Sequence, residues 1–331
     1  MHIDATVPEN IIAALPYDGI GTRADWLRAG ASERMLSDDR LRRIARGIYV
    51  AANDDRPLTV DRMAPLLPED AVIGGWAAAL AHGVRDASST MVHSEPDLML
   101  AYPGRDMHKK LPGFRTLRSA LGPDDVVTID DVRLTTVLRT AYDMTRFAPS
   151  LLSAVGLVDC FRFEINPTPV DAGRLQQVID EHPRSRGNAR IRKALALSSP
   201  RSRSIPESWL RTRMTLDCGI GLEAIAVNAT LLHAGRSYEL DLVDLTTGLV
   251  LEYDGEHHAG PAQRTRDSRK DVAVDEAGLV MLRVNAPLLR SPRELARTIG
   301  VRRESARARH CTARVTQMVT VGALRERPLS P

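Results

Sequence analysis

The chain has 331 residues, of which 43% are hydrophobic and 26% charged, and its formal net charge is +3. This length favours about two or three domains, and the composition is typical of a soluble globular protein. Because the net charge is small, any binding of nucleic acid must depend on local clusters of basic residues. No run approaches the roughly 18 apolar residues of a membrane span, so we expect a cytoplasmic protein without a membrane partner. Cys160, Cys218 and Cys311 lack C-x-x-C spacing, which argues against a disulfide framework or a zinc site.

The first 50 residues predict a small winged helix-turn-helix. Residues 10–15 form a short apolar helix candidate, and Thr22 is placed to cap a second helix, RADWLRAG, which ends at Gly30. Ser32 is placed to cap a third helix, ERMLSDD. The alternating segment RLRRIARGIYVAA turns at Gly47, which favours a two-stranded wing. Helix, turn, helix and wing in this order is a layout that docks on DNA.

Arginines are concentrated in this module, where they could meet DNA phosphates. They are Arg28, Arg34, Arg40, Arg42, Arg43 and Arg46. From this set we predict duplex DNA contacts by Arg34, Arg42, Arg43 and Arg46. Winged helices also serve as protein–protein modules, so a protein partner is the alternative.

The N-terminal half resembles the AbiEi-type antitoxin family. The residues that carry this resemblance are Gly47-Ile48-Tyr49 at the end of the wing, GGWAAALAHGV at residues 74–84, and VRLTTVLRTAYDMTRF at residues 132–147. The resemblance extends over residues 1 to about 195, with weak motifs. It implies a DNA-binding regulator and, if the whole chain acts as an antitoxin, a cognate toxin as partner.

A strongly basic segment, EHPRSRGNARIRKALALSSPRSRSIPES, separates the two halves of the chain. Its basic residues are Arg184, Arg186, Arg190, Arg192, Lys193, Arg201 and Arg203. Part of it is helical by pattern, and SSPRSRS indicates a linker. The segment could follow a phosphate backbone or be a solvated connector. The later segment VRRESARARH, at residues 301–310, leaves the same two alternatives open.

The stretch YELDLVDLTTGLVLEYDGEHH, at residues 238–258, predicts a β-hairpin that turns at Thr-Thr-Gly. Asp241 lies in the first strand, Glu252 ends the second, and Asp254 follows at once. Carboxylates on neighbouring strands repel each other unless a cation lies between them. Mg²⁺ (or Mn²⁺) fits such a pair, and a metal of this kind supports phosphodiester hydrolysis. The alternative is an ordinary hairpin with solvated acidic positions.

The region around this hairpin resembles the PD-(D/E)XK nuclease fold, and within it the very-short-patch-repair-like endonucleases. The resemblance depends on the order of a helix with Glu207 (IPESWLRTRM), a strand with Asp241, a strand ending at Glu252, a helix with the run RDSRKD, and an apolar strand. It covers residues 204–295. The lysine that the motif carries two positions after Glu252 is replaced here by Asp254.

The resemblance implies a magnesium site in which Asp241 and Glu252 are the main ligands and Glu207 contributes directly or through water. With Asp254 at the lysine position, we predict that His258, beside His257, handles the proton of the attacking water. The alternative is that the two histidines cap a turn or face solvent. Arg266 and Arg269 are the predicted phosphate contacts of this half, and on a helix they could equally form surface ion pairs.

Two functions follow from these features. One is a Mg²⁺-dependent DNA endonuclease of the phage-defence or repair type. The other, favoured by Asp254, is a non-catalytic antitoxin or transcriptional regulator with a degenerate nuclease fold. In both cases the fold class is α/β. We predict a winged helix-turn-helix at residues 1–56, a middle α/β region at 57–195, a restriction-endonuclease-like mixed sheet flanked by helices at 196–300, and a basic tail at 301–331.

Overall fold

A computed structural model describes residues 7–15, 19–38, 40–45, 48–54, 56, 71–84, 99–102, 115–116, 121–129, 131–163, 166–255, 261–309 and 319–320. The chain forms two compact units. The N-terminal unit contains Met1–Phe147 and Asn166–Ser185, and the C-terminal unit contains Ala148–Ile165 and Arg186–Pro331. The mixture of helices and sheets confirms the predicted α/β class. In the described part of the chain, no helix is long and apolar enough to span a bilayer.

The described helices are Glu9–Ala13 (α1), Arg23–Arg28 (α2), Glu33–Ser37 (α3), Gly75–Ala81 (α4), Val137–Phe147 (α5), Leu151–Arg162 (α6), Ala172–Glu181 (α7), Asn188–Ala196 (α8), Ile205–Cys218 (α9), Pro261–Glu276 (α10), Ala286–Leu289 (α11) and Pro292–Arg309 (α12). The described strands are Ile20–Thr22 (β1), Leu41–Ala45 (β2), Ile48–Ala51 (β3), Val72–Gly74 (β4), Met99–Tyr102 (β5), Arg115–Thr116 (β6), Val126–Ile129 (β7), Val132–Thr135 (β8), Ile225–His233 (β9), Arg236–Asp244 (β10), Leu249–Tyr253 (β11), Val280–Val284 (β12) and Val319–Thr320 (β13).

The first elements match the predicted helices and wing, with strand β1 as an addition. The side chains of Thr22 and Ser32 cap α2 and α3 by accepting the N–H groups of Asp25 and Met35. Strands β2 and β3 pair antiparallel as the wing, and β1 joins them in a sheet of order β1-β3-β2. Trp26 is fully buried beneath this sheet, and its indole N–H donates to the carbonyl of Tyr49. The buried Trp explains why so short a module has a core of its own.

The rest of the N-terminal unit contains a sheet of order β6-β5-β4-β8-β7. Helix α5 carries charged side chains into the interior of this unit. Asp143 is buried and accepts hydrogen bonds of 2.8 Å from both Arg139 and Arg146. Because each charge has a partner, their desolvation is compensated. The segment 132–147 therefore has a structural role in the core.

The C-terminal unit is built on a sheet of order β12-β11-β10-β9-β13. Strands β11 and β12 are parallel and connected through α10, whereas β9, β10 and β11 pair antiparallel. One face of the sheet packs against α9 and α12 through residues such as Leu210 and Leu295. The other face packs against α10 through Ala273, Val274 and Ala277. The predicted mixed sheet flanked by helices is confirmed.

The segment predicted as a linker is held in place by a buried ion pair. Asp159 of α6 and Arg211 of α9 pair with each other, and both are almost fully buried. The N–H of Ser199 donates to Asp159 Oδ1 over 2.7 Å, and Arg211 also donates to the carbonyl of Leu197. The interpretation of SSPRSRS as a flexible connector is therefore corrected, because its backbone is bonded to buried charges.

The compact units differ from the predicted domain boundaries. Helices α6 and α8, which the prediction assigned to the middle region, belong to the C-terminal unit. Helix α12 continues from Pro292 to Arg309 across the predicted boundary at residue 300, and Ala306 in its last turns is fully buried. The first part of the predicted basic tail is thus an integral helix of this unit.

Candidate active site

The hairpin of β10 and β11 brings Asp241 and Glu252 side by side. The paired positions end with Leu242 opposite Leu251, one residue short of the two carboxylates. Beyond that point, the N–H of Asp241 donates to Glu252 Oε1 over 3.1 Å, and the N–H of Tyr253 donates to Asp241 Oδ2 over 3.0 Å. Each carboxylate therefore replaces a bond of the ladder by binding the backbone of the opposite strand.

The tight turn of this hairpin is built on a buried carboxylate. Asp244 is fully buried and accepts hydrogen bonds from the hydroxyls of Thr246 and Thr247 over 2.6 and 2.7 Å. Arg303 of α12 donates to the same carboxylate over 2.8 Å. Gly248 follows with a φ of 81°, a left-handed conformation that glycine adopts without steric cost. The Thr-Thr-Gly signal thus marks a turn that fixes the register of β10 against β11.

Burial and mutual repulsion weaken the acidity of the two carboxyl groups. Desolvation raises the pKa of Glu252 to about 7, with a further contribution from the charge of Asp241. Desolvation also raises the pKa of Asp241, which the nearby Lys270 opposes. Two ionised groups in this position are stabilised by any cation that comes between or beside them.

Lys270 is a cation that contacts Glu252 directly. It lies on α10, and its Nζ donates to Glu252 Oε2 over 2.5 Å. The side chains of Lys270 and Glu252 are only 18% and 16% exposed. The sequence prediction missed this residue because it looked for the lysine two positions after Glu252. The chain contains four lysines, at positions 109, 110, 193 and 270, against 41 arginines. The rarity of lysine in a chain so rich in arginine was the available signal.

Glu207 lies in the first turn of α9, next to the same cluster. Its Oε1 accepts from the hydroxyl of the capping Ser204 over 2.9 Å, and its Oε2 accepts from the N–H of Arg203 and from Asn228 Nδ2, each over 3.0 Å. Burial raises the pKa of Glu207, and the charge of Asp241 adds to the effect. Both oxygens thus accept hydrogen bonds, which hold the side chain in place beside the cluster.

Asn228 interrupts strand β9 beside Asp241. It has a φ of 47°, a left-handed conformation that costs about 1–3 kcal/mol in general and that Asn tolerates better than most residues. The pairs Ala229–Leu240 and Val227–Leu242 flank it, so Asn228 lies across from Asp241. Its amide donates to Glu207 and, over 2.7 Å, to the carbonyl of Arg201. The distorted backbone is therefore used to hold Glu207 at the strand.

Of the remaining predicted residues of this half, the structure describes the side chains of Asp254 and Arg269, and neither contacts the cluster. Asp254 is exposed, and its N–H extends the parallel ladder by donating to the carbonyl of Val284 over 2.9 Å. Arg269 lies exposed on α10. Arg266 belongs to the same helix, but its side chain lies outside the described part of the structure, as does His258 with its neighbour His257. The predicted proton transfer by His258 remains a prediction.

The predicted DNA contacts of the wing are surface residues. Arg34 on α3 and Arg42 and Arg43 on β2 are exposed, and Arg42 donates to the carbonyl of Asp54 over 3.0 Å. Within the described residues, Arg34 and Arg43 form no ion pair, whereas Arg40 is paired with Asp38. Arg46 lies outside the described residues. Two of the four predicted arginines are thus available to an anionic partner.

Within the described ranges, no three His, Cys, Asp or Glu side chains form a group that could hold a metal ion. Asp241 and Glu252 form a pair across the hairpin, and the ligand roles predicted for them and for Glu207 stay predictions. No described group donates to Asp241 Oδ1, which leaves one carboxylate oxygen open. One or two carboxylates are the protein ligands that Mg²⁺ usually takes, with water and substrate phosphate completing its shell. The pair fits such an ion.

Comparison with known proteins gives one match. A family model described as "Protein of unknown function (DUF2726)" matches residues 240–302. The matched segment begins in β10 and ends in α12, so it contains Asp241, Glu252 and Lys270 but excludes Glu207 and the N-terminal unit. No match to a curated protein or to a solved structure was found.

Proposed function

We propose that the C-terminal unit is a Mg²⁺- or Mn²⁺-dependent phosphodiesterase that cuts DNA. The observation that carries this proposal is the contact between Glu252, which lies beside Asp241, and the ammonium of Lys270 on α10. Two acidic ligands and one lysine is the chemical set that the resemblance to PD-(D/E)XK nucleases requires. Lys270 supplies from a helix the group that is absent at Asp254.

Asp241 and Glu252 would hold the metal, and Asp241 Oδ1 is the oxygen most open to it. When bound, such an ion lowers the pKa of a coordinated water and stabilises charge on the phosphate oxygens. The carboxylates are fixed in advance, because each is bonded to the backbone of the opposite strand. Glu207 stands behind them and is held by Ser204 and Asn228. This rigidity favours catalysis, since the ligands need not reorganise when substrate binds.

Lys270 would act on the attacking water or on the phosphate. Its ammonium is partly removed from water, so its charge is weakly screened and interacts strongly with a nearby oxyanion. A lysine can hold a water by one of its three N–H groups while keeping its bond to Glu252. Arginine offers a flat fork of donors and stays charged, so it does not reproduce this role. The use of lysine at this position, in a chain with 41 arginines and only four lysines, supports a chemical rather than a structural reason.

The N-terminal unit is proposed to bind duplex DNA through its wing. The support is the exposure of Arg34 and Arg43 without ion pairs among the described residues. Arginines of this kind contact phosphates and give affinity without reading the sequence. Binding by one unit would raise the local concentration of substrate for the other.

A second function is a DNA-binding regulator of the antitoxin type that does not cut. The observation that favours it is the internal neutralisation of the cluster: Lys270 compensates Glu252, and hydrogen bonds satisfy Glu207. Such a network needs no metal to be stable. A cognate toxin would then be the protein partner.

Incubation of the full chain with linear DNA and Mg²⁺ or Mn²⁺ separates the two functions. We expect nicking or cleavage that EDTA abolishes and that Asp241→Asn abolishes as well. Glu294→Gln, an exposed acidic position on α12 of the same unit, is the matched control and should cut like the wild type. Tight DNA binding without cleavage by the wild-type chain under either metal would support the regulator and overturn the nuclease.

A further inference from the structure

An exposed ion pair lies next to the candidate site. Arg203 Nη1 and Nη2 donate to Glu239 Oε2 and Oε1 over 2.7 and 2.9 Å. This is the two-pronged geometry in which a guanidinium also binds a phosphate. The two side chains are 42% and 64% exposed, respectively. Arg203 immediately precedes the cap of α9, and Glu239 lies on β10.

Both partners are tied to the carboxylates of the site. The backbone N–H of Arg203 donates to Glu207 Oε2 over 3.0 Å, so the residue is anchored at its main chain. Glu239 is two positions before Asp241 on β10. Residues two positions apart on a strand lie on the same face, so Glu239 and the guanidinium bonded to it lie on the face of β10 that carries Asp241.

We propose that Arg203 contacts a phosphate of the bound DNA, and that Glu239 is the stand-in ligand that this phosphate displaces. The inference rests on the proposed function, because a phosphodiester near Asp241 is the anion in question. Glu239 would keep the guanidinium extended along β10 when no nucleic acid is bound. On binding, the two donors of Arg203 pass from a carboxylate to a phosphate without any change in their fork geometry.

Because the Arg203–Glu239 pair is exposed, breaking it has a small free-energy cost. Solvated ion pairs contribute little to stability, since water screens them and replaces them readily. The Lys270–Glu252 pair is far less exposed, so the same argument does not apply to it. A DNA phosphodiester carries one negative charge over two non-bridging oxygens, as a carboxylate does, so it can replace Glu239 on both donors of Arg203. At the same site, a phosphate can therefore displace Glu239 from Arg203, whereas the Lys270–Glu252 pair is expected to stay intact.

A double-mutant cycle on DNA binding tests the exchange. The affinity of the full chain for a short duplex is measured with Ca²⁺, which takes the same oxygen ligands as Mg²⁺. All proteins carry Arg42→Glu and Arg43→Glu, so that the wing does not mask the C-terminal unit. Arg203→Gln should weaken binding about tenfold and lower the log–log salt slope by about 0.9. Glu239→Gln should tighten binding severalfold, because its carboxylate no longer competes with the phosphate for Arg203.

The double variant Arg203→Gln/Glu239→Gln shows whether Glu239 acts by occupying Arg203 or by repelling DNA directly. If Glu239 acts through Arg203, then Glu239→Gln has no effect in the Arg203→Gln background. If Glu239 only repels DNA, then Glu239→Gln tightens binding equally with Arg203 and with Gln at position 203, and the inference is overturned. The matched control is the exposed pair Arg307–Glu304 on α12, whose side chains are 51% and 71% exposed. Equal effects of Arg307→Gln and Arg203→Gln would also overturn it. If the wild-type chain never cuts DNA but Arg203 and Glu239 are coupled in DNA binding as described, the proposed nuclease function is refuted and the phosphate contact of Arg203 is supported.

Discussion

Lys270 Nζ lies 2.5 Å from Glu252 Oε2 and bridges helix α10 to the edge of the β10–β11 hairpin. The contact joins residues that are 18 positions apart, and it compensates a carboxylate that Asp241 would otherwise repel. A lysine in this place has two effects. It stabilises the fold in the absence of metal, and it places an ammonium beside the proposed ligands. The two roles can be separated by substitution.

Lys270→Arg should keep the ion pair with Glu252 and lower the rate of DNA cleavage. An arginine still neutralises Glu252, so we expect the free energy of unfolding to change little. Cleavage should fall roughly 10²–10⁴-fold, because the donors of the longer, planar guanidinium lie in other positions than those of the compact ammonium. Initial rates on a labelled duplex and urea unfolding of the same samples are the measurements.

Lys270→Met and Lys193→Met complete this test. The first removes the charge, so it should lower both cleavage and stability. The second removes an exposed lysine on α8 of the same unit and should change neither. Full activity of Lys270→Arg would mean that Lys270 has only a structural role, and the proposed mechanism would need another group.

Asp241→Asn should stabilise the metal-free chain while abolishing cleavage. The amide oxygen can still accept from the N–H of Tyr253, but the repulsion that raises the pKa of Glu252 is gone. In EDTA near neutral pH, we therefore expect a higher free energy of unfolding than for the wild type. Mn²⁺ binding, followed by calorimetry, should disappear. A destabilised Asp241→Asn protein would contradict the picture of repelling carboxylates.

Arg43→Glu should weaken DNA binding by the wing. Arg43 is exposed on β2 and forms no ion pair in the described part of the chain, so its charge is open to a phosphate. Each lost phosphate contact lowers the log–log salt slope by about 0.9. Arg174→Glu, an exposed position on α7 of the same unit, has the same change in charge and should leave the slope unaltered. Equal slopes for the two variants would favour a protein partner for the wing.

The local signals in the sequence predicted the local structure well. Thr22 and Ser32 are placed before short amphipathic runs, and both cap the helices that follow. The Thr-Thr-Gly turn and the alternation around it predicted β10 and β11, and thereby the adjacency of Asp241 and Glu252. These features depend on a few neighbouring residues, which is why one sequence was enough.

Features that depend on distant contacts were missed. Lys270 reaches Glu252 only because α10 packs across the sheet, and no spacing rule connects the two positions. Residues 197–204 are polar and Ser-rich, which indicates a linker, yet Asp159 binds them from α6, about 40 residues away. Asn228 appears in sequence as an ordinary strand residue, and its left-handed backbone is set by the bonds to Arg201 and Glu207.

The Asp159–Arg211 pair should be essential to the C-terminal unit. Arg211→Met leaves a buried carboxylate without its cation and should cost about 3–5 kcal/mol in the free energy of unfolding. Asp159→Leu with Arg211→Met should cost less than the sum of the single changes, since no unpaired charge remains. Arg307→Met, in an exposed pair, should cost less than about 1 kcal/mol. Additive costs in chemical denaturation would show that the two charges are not coupled.

Stability without metal should fall as the pH rises through neutrality. The pKa of Glu252 is about 7 in the folded chain and near 4.5 when unfolded. Between these values the folded state binds a proton that the unfolded state lacks, so unfolding becomes easier as pH increases. A shift of this size corresponds to on the order of 3 kcal/mol between about pH 4.5 and about pH 7, and the loss is complete above that range.

Urea unfolding in EDTA across this range is the measurement, and Glu252→Gln should flatten the profile. Asp241 and Glu207 also have raised pKa values, so the difference between wild type and Glu252→Gln isolates the contribution of Glu252. Because a proton and a metal compete for Glu252, affinity for Mn²⁺ should rise as the pH passes about 7. Calorimetry in two buffers should then show proton release on binding below that pH. Affinity that does not change with pH would mean that Glu252 is not a ligand.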